Sequence, residues 1–319
     1  MVKEKRKDSF RSCIGSDKMI ITEILNVVLP VFMLLGVGFF VGKYLSIDSK
    51  SVSDISIYVF SPALFFYSIS TSEMNMSDLG RIMLFAFILF FMFALFIHVM
   101  GMIFKWTVSY KNTLMLASGF PNAGNYGLPI ILFAFGEEGV AIGIIYLAMQ
   151  SFLMNSAGVF YASNHHTVPK KDIFLTIIKM PGIIAIIAAL LLKIGSVSIP
   201  VALLNATDLL GQASIPTMLT LLGITLSSIQ IKNVIAFIGT ATVFKLVAFP
   251  LIAFGLLQLM YPPGSLEAKV LLIGAATPTA ATTTLLAIKF RMNPDLVSSG
   301  MFVSTLVSII TIPILLLML

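Results

Sequence analysis

The chain has 319 residues, of which 58% are hydrophobic and 11% charged, and its mean hydropathy of +1.02 lies far above that of soluble domains. Its formal net charge is +6, and its one cysteine, Cys13, excludes a disulfide framework or a cysteine metal site within a chain. No Gly-rich loop ending in Lys-Ser or Lys-Thr is present to hold ATP, and no stretch is left over for a soluble catalytic domain.

Residues 1–18 come first, a basic stretch with Lys3, Lys5, Arg6, Lys7, Arg11 and Lys18. It reads as an upstream extension with Met19 as the natural start, or as a signal-like basic segment. From Ile20 onward, stretches of roughly 20 mostly apolar residues, enough to cross about 30 Å of hydrocarbon, recur to Leu319. Ten spans are predicted. Span one (22–42) holds Pro30, and span two (52–70) holds Ser53-Asp54 and Ser61-Pro62. Span three (81–104) carries Phe90, Phe91, Met92 and Phe93, expected to be lipid-facing bulk, and His98, expected at the interface. Span four (112–135) contains the run Gly119-Phe120-Pro121-Asn122-Ala123-Gly124-Asn125-Tyr126-Gly127-Leu128-Pro129, which cannot be one continuous helix. Span five (139–161) carries Gln150 and Asn155.

The longest polar break, residues 162–172, follows; its His165-His166 pair has no acidic residue at metal-ligand spacing and reads as solvated. Span six (173–193) holds Pro181, and span seven (208–228) opens on Thr207-Asp208 and continues to Ile215-Pro216. Span eight (234–259) carries Lys245 near its middle. Span nine (267–289) holds the second polar interruption, Thr277-Pro278-Thr279-Ala280-Ala281-Thr282-Thr283-Thr284, and span ten covers 295–318.

The central break divides the spans five and five, and the halves match. Asp54 and Asp208 each precede a proline by eight residues, at a proline offset of 216 − 62 = 154. Pro121 and Pro278 are offset by 278 − 121 = 157, and Pro30 and Pro181 by 181 − 30 = 151. Five is odd, so the second half enters the membrane from the opposite side. The expected fold is all-α and integral to the membrane, with ten transmembrane helices in a 5+5 inverted repeat (19–161 and 173–319) and helices four and nine broken and crossing. Loop Lys and Arg favour one side ten to three, counting Lys43, Lys50, Lys105, Lys111, Lys170, Lys171, Lys179, Lys232, Lys289 and Arg291 against Arg81, Lys193 and Lys269. That bias puts the linker 162–172 in the cytoplasm and both termini outside the cell membrane.

Each break should leave a half-helix whose free N–H groups and positive dipole end point into a cavity, which suits an anion. Asn122 and Asn125 can add amide donors, and Thr279, Thr282 and Thr283 hydroxyls, around Pro121 and Pro278. The competing use of these side chains is to satisfy the broken helices' own backbone. Lys245 could balance the substrate's charge, change protonation, or bond carbonyls freed by Pro250. Asp54 and Asp208 could take up protons or sodium, or serve as first-turn caps favoured by the helix dipole.

The pattern Pro-Asn-x-x-x-x-Gly-x-Pro, here Pro121-Asn122 through Gly127-Leu128-Pro129, resembles the auxin efflux carriers, as does the run from Ala287-Ile288-Lys289-Phe290 through Asn293-Pro294-Asp295 to Ser304-Thr305-Leu306 and Pro313. The resemblance covers most of Ile20 to Leu319. It implies a ten-helix inverted repeat, a crossover of spans four and nine, and substrate carboxylate bound by Asn122. Plant members carry glutamine where Thr279 stands here, and their long cytoplasmic loop is about ten residues in this chain.

The expected activity is secondary transport of a small mono- or dicarboxylate by alternating access, with the bilayer as environment, proton or sodium as driving ion, and a homodimer compatible with the design. No enzyme activity, cofactor, metal or nucleic-acid partner is expected. The alternatives are a sodium-coupled carrier of the bile-acid-symporter type and a membrane receptor that binds a small acid without moving it.

Overall fold

The computed structural model describes residues 26–45, 47–163, 175, 179–229 and 234–319. The basic stretch 1–18, Met19, Cys13, His165-His166 and most of the linker 162–172 lie outside the described residues. Among those described, all regular structure is helical, and seven helices are long and apolar enough to cross a membrane. In chain order the helices are α1 (Asn26–Tyr44), α2 (Ser49–Thr71), α3 (Met76–Ile103), α4 (Val108–Ser118), α5 (123–135), α6 (137–162), α7 (Pro181–Ile194), α8 (Val201–Ser227), α9 (Ile235–Met260), α10 (Leu266–Ala276), α11 (Ala281–Phe290) and α12 (Pro294–Leu317).

Helix α2 starts three residues before the predicted span and is capped by Asp48, whose carboxylate accepts from the N–H groups of Lys50 and Ser51. The Ser51 hydroxyl, followed by these amides, holds that carboxyl below its ordinary range. Helix α8 starts at Val201, so Asp208 lies two turns inside it, with Pro200 at the cap. The first-turn capping expected of Asp54 and Asp208 is therefore not what either residue does.

Three helices widen just ahead of a proline. In α2, α5 and α9 the residues Ser56–Phe60, Ala123–Gly127 and Phe244–Ala248 are π-helical, and each stretch precedes a proline, Pro62, Pro129 or Pro250. A proline offers no N–H to the carbonyl four residues back, so the ladder shifts to five: Ser61 N–H reaches Ser56 O and Phe249 N–H reaches Phe244 O.

Helices α1, α2, α7 and α8 form one group, held by contacts that only small residues allow. A Cβ at Gly223 of α8 would overlap the backbone of Leu35, Gly38 and Phe39 in α1, and Cβ atoms at Gly38 and Gly42 would meet the backbone of Thr220 and Ile224. Without a hydrophobic driving force in lipid, such close backbone approach is a main source of helix association. Where α2 crosses α8, the Ser61 and Ser214 hydroxyls hydrogen-bond at 3.4 Å.

The remaining helices form a second group around an aromatic core. Phe90 packs on Phe120 with ring centres 5.4 Å apart, and Phe93 on Phe249 at 4.8 Å. The run expected to face lipid therefore divides by helical phase: Phe90 and Phe93 are buried, Phe91 and Met92 exposed. Gly136, at φ 67° and ψ −164°, adopts a conformation open essentially to glycine alone and turns the chain back. Helix α6 then returns antiparallel along α5, with Gly139 against Ile131, Gly143 against Leu128 and Gly124 against Leu147.

Candidate functional site

The two polar interruptions meet inside the second group. Helix α4 ends at Ser118 and α5 begins at residue 123, while α10 ends at Ala276 and α11 begins at Ala281. The two connecting segments run antiparallel. Asn122 N–H donates to Pro278 O at 2.7 Å and Ala280 N–H to Phe120 O at 2.9 Å, pairing Pro121 with Thr279.

The carbonyls released by this break can be followed one at a time. Pro121 has no N–H for Ala117 O, which accepts instead from the Thr279 hydroxyl at 2.6 Å. Pro278 leaves Gly274 O in the same position, and the Thr277 hydroxyl takes it at 2.8 Å. Ala275 O would pair with Thr279 N–H in an unbroken helix, but that N–H donates to Ser304 Oγ at 3.2 Å. Lys245 Nζ donates to Ala275 O instead, at 2.9 Å. The carbonyl that Lys245 bonds thus belongs to the Pro278 break, not to Pro250 of its own helix.

The predicted site residues divide on this geometry. Thr279 and Thr283 are fully buried, and their hydroxyls donate to backbone, Thr283 to Ala280 O at 2.8 Å. Thr282 is exposed and Asn125 half-buried. Asn122 is 5% exposed, its main chain is fixed by Pro278, and its side-chain Nδ2 is buried without a hydrogen-bond partner. Next to it, the Tyr126 and Ser308 hydroxyls hydrogen-bond at 2.8 Å and tie α5 to α12. The first N–H groups of α5 and α11 have no acceptor within their own helices, so both half-helices begin at the crossing with donors to spare.

Asp54 is exposed. Asp208 accepts from Gln212 at 3.1 Å and lines a cavity of about 200 Å³ between the two helix groups, together with Tyr67, Ser68, Glu137 and apolar side chains of α1, α2, α5 and α8. Gln150 was legible in the sequence only as a polar residue within a span. The antiparallel pairing of α6 with α5 puts it level with Pro121, and its amide and the Tyr146 hydroxyl find no hydrogen-bonding partner outside that pair. No spacing rule links Gln150 to Asn122; only the turn at Gly136 brings α6 back alongside.

Thr279→Val tests the trans cap. Leaving Ala117 O buried and unpaired should cost about 1–3 kcal/mol, read as a lower melting temperature of the purified protein.

The protein is thus a multi-pass helical one that holds two interrupted helices back to back at a polar crossing. The chain belongs to the membrane transport protein family, whose profile matches residues 23–316, in agreement with the auxin efflux carrier resemblance. It is 28% identical over 300 residues to an uncharacterized transporter of Methanocaldococcus jannaschii, covering 90% of this chain and 96% of that one. An uncharacterized transporter of Methanothermobacter thermautotrophicus is 25% identical over 205 residues, covering 63% and 66% of the two chains. A Rhizobium meliloti protein named "Putative malonate transporter" is 25% identical over 311 residues, covering 91% of this chain and 94% of its own.

Proposed function

We propose that the protein is a secondary transporter that carries a small mono- or dicarboxylate through the crossing of its two broken helices. The observation that carries this reading is the buried Asn122 Nδ2, unpartnered between two half-helix N-termini. A buried amide donor without an acceptor costs free energy that a bound carboxylate would recover. The backbone N–H groups at the starts of α5 and α11 supply further donors of the same polarity. The name of the Rhizobium relative points to malonate as the first acid to try.

In this reading the ten spans form two inverted five-helix repeats, with α4–α5 as broken span four and α10–α11 as broken span nine. The central linker is cytoplasmic and both termini are outside. The group α1, α2, α7 and α8 is the scaffold, and the crossing group moves against it, exposing Asn122 alternately to each side. Asp208, in the cavity where the two groups meet, is the candidate for taking up the driving ion, proton or sodium.

The test is uptake of radiolabelled malonate and a panel of mono- and dicarboxylates into proteoliposomes, under imposed proton and sodium gradients. Gradient-dependent accumulation of a carboxylate is expected. Binding of a carboxylate by the purified protein with no uptake under any gradient would instead indicate a receptor.

A further inference from the structure

Four helix ends converge where the segments around Pro121 and Pro278 pair. The N-termini of α5 and α11 bring positive dipole ends, and the C-termini of α4 and α10 bring negative ends of comparable size, about half a charge each. Taken alone these nearly cancel, so the helix dipoles add little net charge to the donors that Asn122 and the two helix starts offer. Lys245 breaks the balance. Its Nζ lies 2.9 Å from Ala275 O in the last turn of α10 and 4.0 Å from the centre of the Phe249 ring, and the residue is fully buried. An ammonium is stabilised by both neighbours, the carbonyl at a helix C-terminus and the face of an aromatic ring. No carboxylate among the described residues pairs with it. A buried lysine without a counter-ion favours its neutral form, so the arriving anion is also what holds Lys245 protonated. The carbonyl released by the other break, Ala117 O, receives a neutral hydroxyl from Thr279 instead.

We propose that Lys245 sets the charge preference of the crossing from a distance: it cancels the negative pole of α10, leaves the site with a net positive charge, and makes the substrate anion its missing counter-ion. Lys245 is thus a positioning residue of the electrostatic kind, not one that touches substrate. The inference rests on the carboxylate reading of the crossing. Pro278 is the third residue after Ala275, so the ammonium lies within roughly 10–13 Å of a ligand at the crossing. At an effective dielectric of about 20, one charge at that distance changes affinity about tenfold per ligand charge.

The experiment measures binding of malonate and of its monomethyl ester, which has one charge fewer, to the full chain in lipid nanodiscs. Wild-type protein should bind malonate about tenfold more tightly than the half-ester. Lys245→Gln keeps a donor for Ala275 O and removes the charge; malonate should weaken about a hundredfold and the half-ester about tenfold, so their ratio falls tenfold. Lys245→Met serves the same comparison if the glutamine variant does not fold. Equal loss of both ligands, or an unchanged ratio, would overturn the proposal and leave Lys245 a structural cap, while the carboxylate reading stands. Wild-type affinity for the half-ester equal to that for malonate would overturn it without any variant. Wild-type protein that binds neither of these acids nor any other member of the carboxylate panel removes the carboxylate reading, and this inference with it.

Discussion

Replacing Asn122 by alanine is expected to cut malonate uptake in proteoliposomes roughly 10- to 150-fold at low malonate, while leaving the melting temperature of the purified protein unchanged or raised. The two outcomes share one cause. Asn122 Nδ2 is buried without a partner in the protein, so deleting it removes an unsatisfied donor. What fixes the segment is backbone, Asn122 N–H to Pro278 O, and that survives the substitution. Toward a carboxylate the same amide would form a hydrogen bond to a charged group, worth about 1.5–3 kcal/mol, or roughly 10- to 150-fold in affinity. Asn122→Asp should be worse, since it adds a like charge beside the anion. Uptake at the wild-type rate by Asn122→Ala would take this side chain out of the site.

Gly223→Val is expected to have the largest effect on the fold. The added Cβ would be driven into the α1 backbone at Leu35, Gly38 and Phe39, where no flexible side chain can move aside. Overpacking of an ordinary core costs about 1–3 kcal/mol, and a clash with backbone exceeds that, so α1 must separate from α8. The measurement is the yield of monodisperse protein after detergent extraction, together with its melting temperature. Both should fall sharply. Gly80→Ala, at a position with open space around it, should leave both unchanged.

How far the sequence could be read depended on whether the deciding partner was local. Pro121 and Pro278 announce themselves, because a missing N–H breaks a helix whatever surrounds it, and the structure does interrupt the chain at both. Helix ends followed from apolar runs to within a few residues, although α8 began a full two turns before Asp208. What the sequence could not reveal is how each released carbonyl is satisfied. The donor to Ala117 O comes from Thr279, 162 residues away, and the donor to Ala275 O from Lys245, on a different helix. A threonine beside a proline looks the same in sequence whether it waits for substrate or caps backbone, and the geometry has Thr279 and Thr283 donating to carbonyls and Asn122 donating to none. The division of Phe90 and Phe93 from Phe91 and Met92 was likewise hidden, since span three is apolar on every side.

The two breaks are capped differently, and that difference carries a consequence for how the protein is made. Gly274 O is satisfied by Thr277, three residues further along the chain, so this carbonyl finds its donor as soon as the segment is synthesised. Ala117 O waits for Thr279. While the ribosome is still extending the second half, the first interruption has already entered the bilayer with an acceptor that nothing nearby in sequence can serve. Residues 19–161 expressed by themselves should therefore remain unsettled and open to quality-control proteolysis, until residues 173–319 are supplied as a separate fragment.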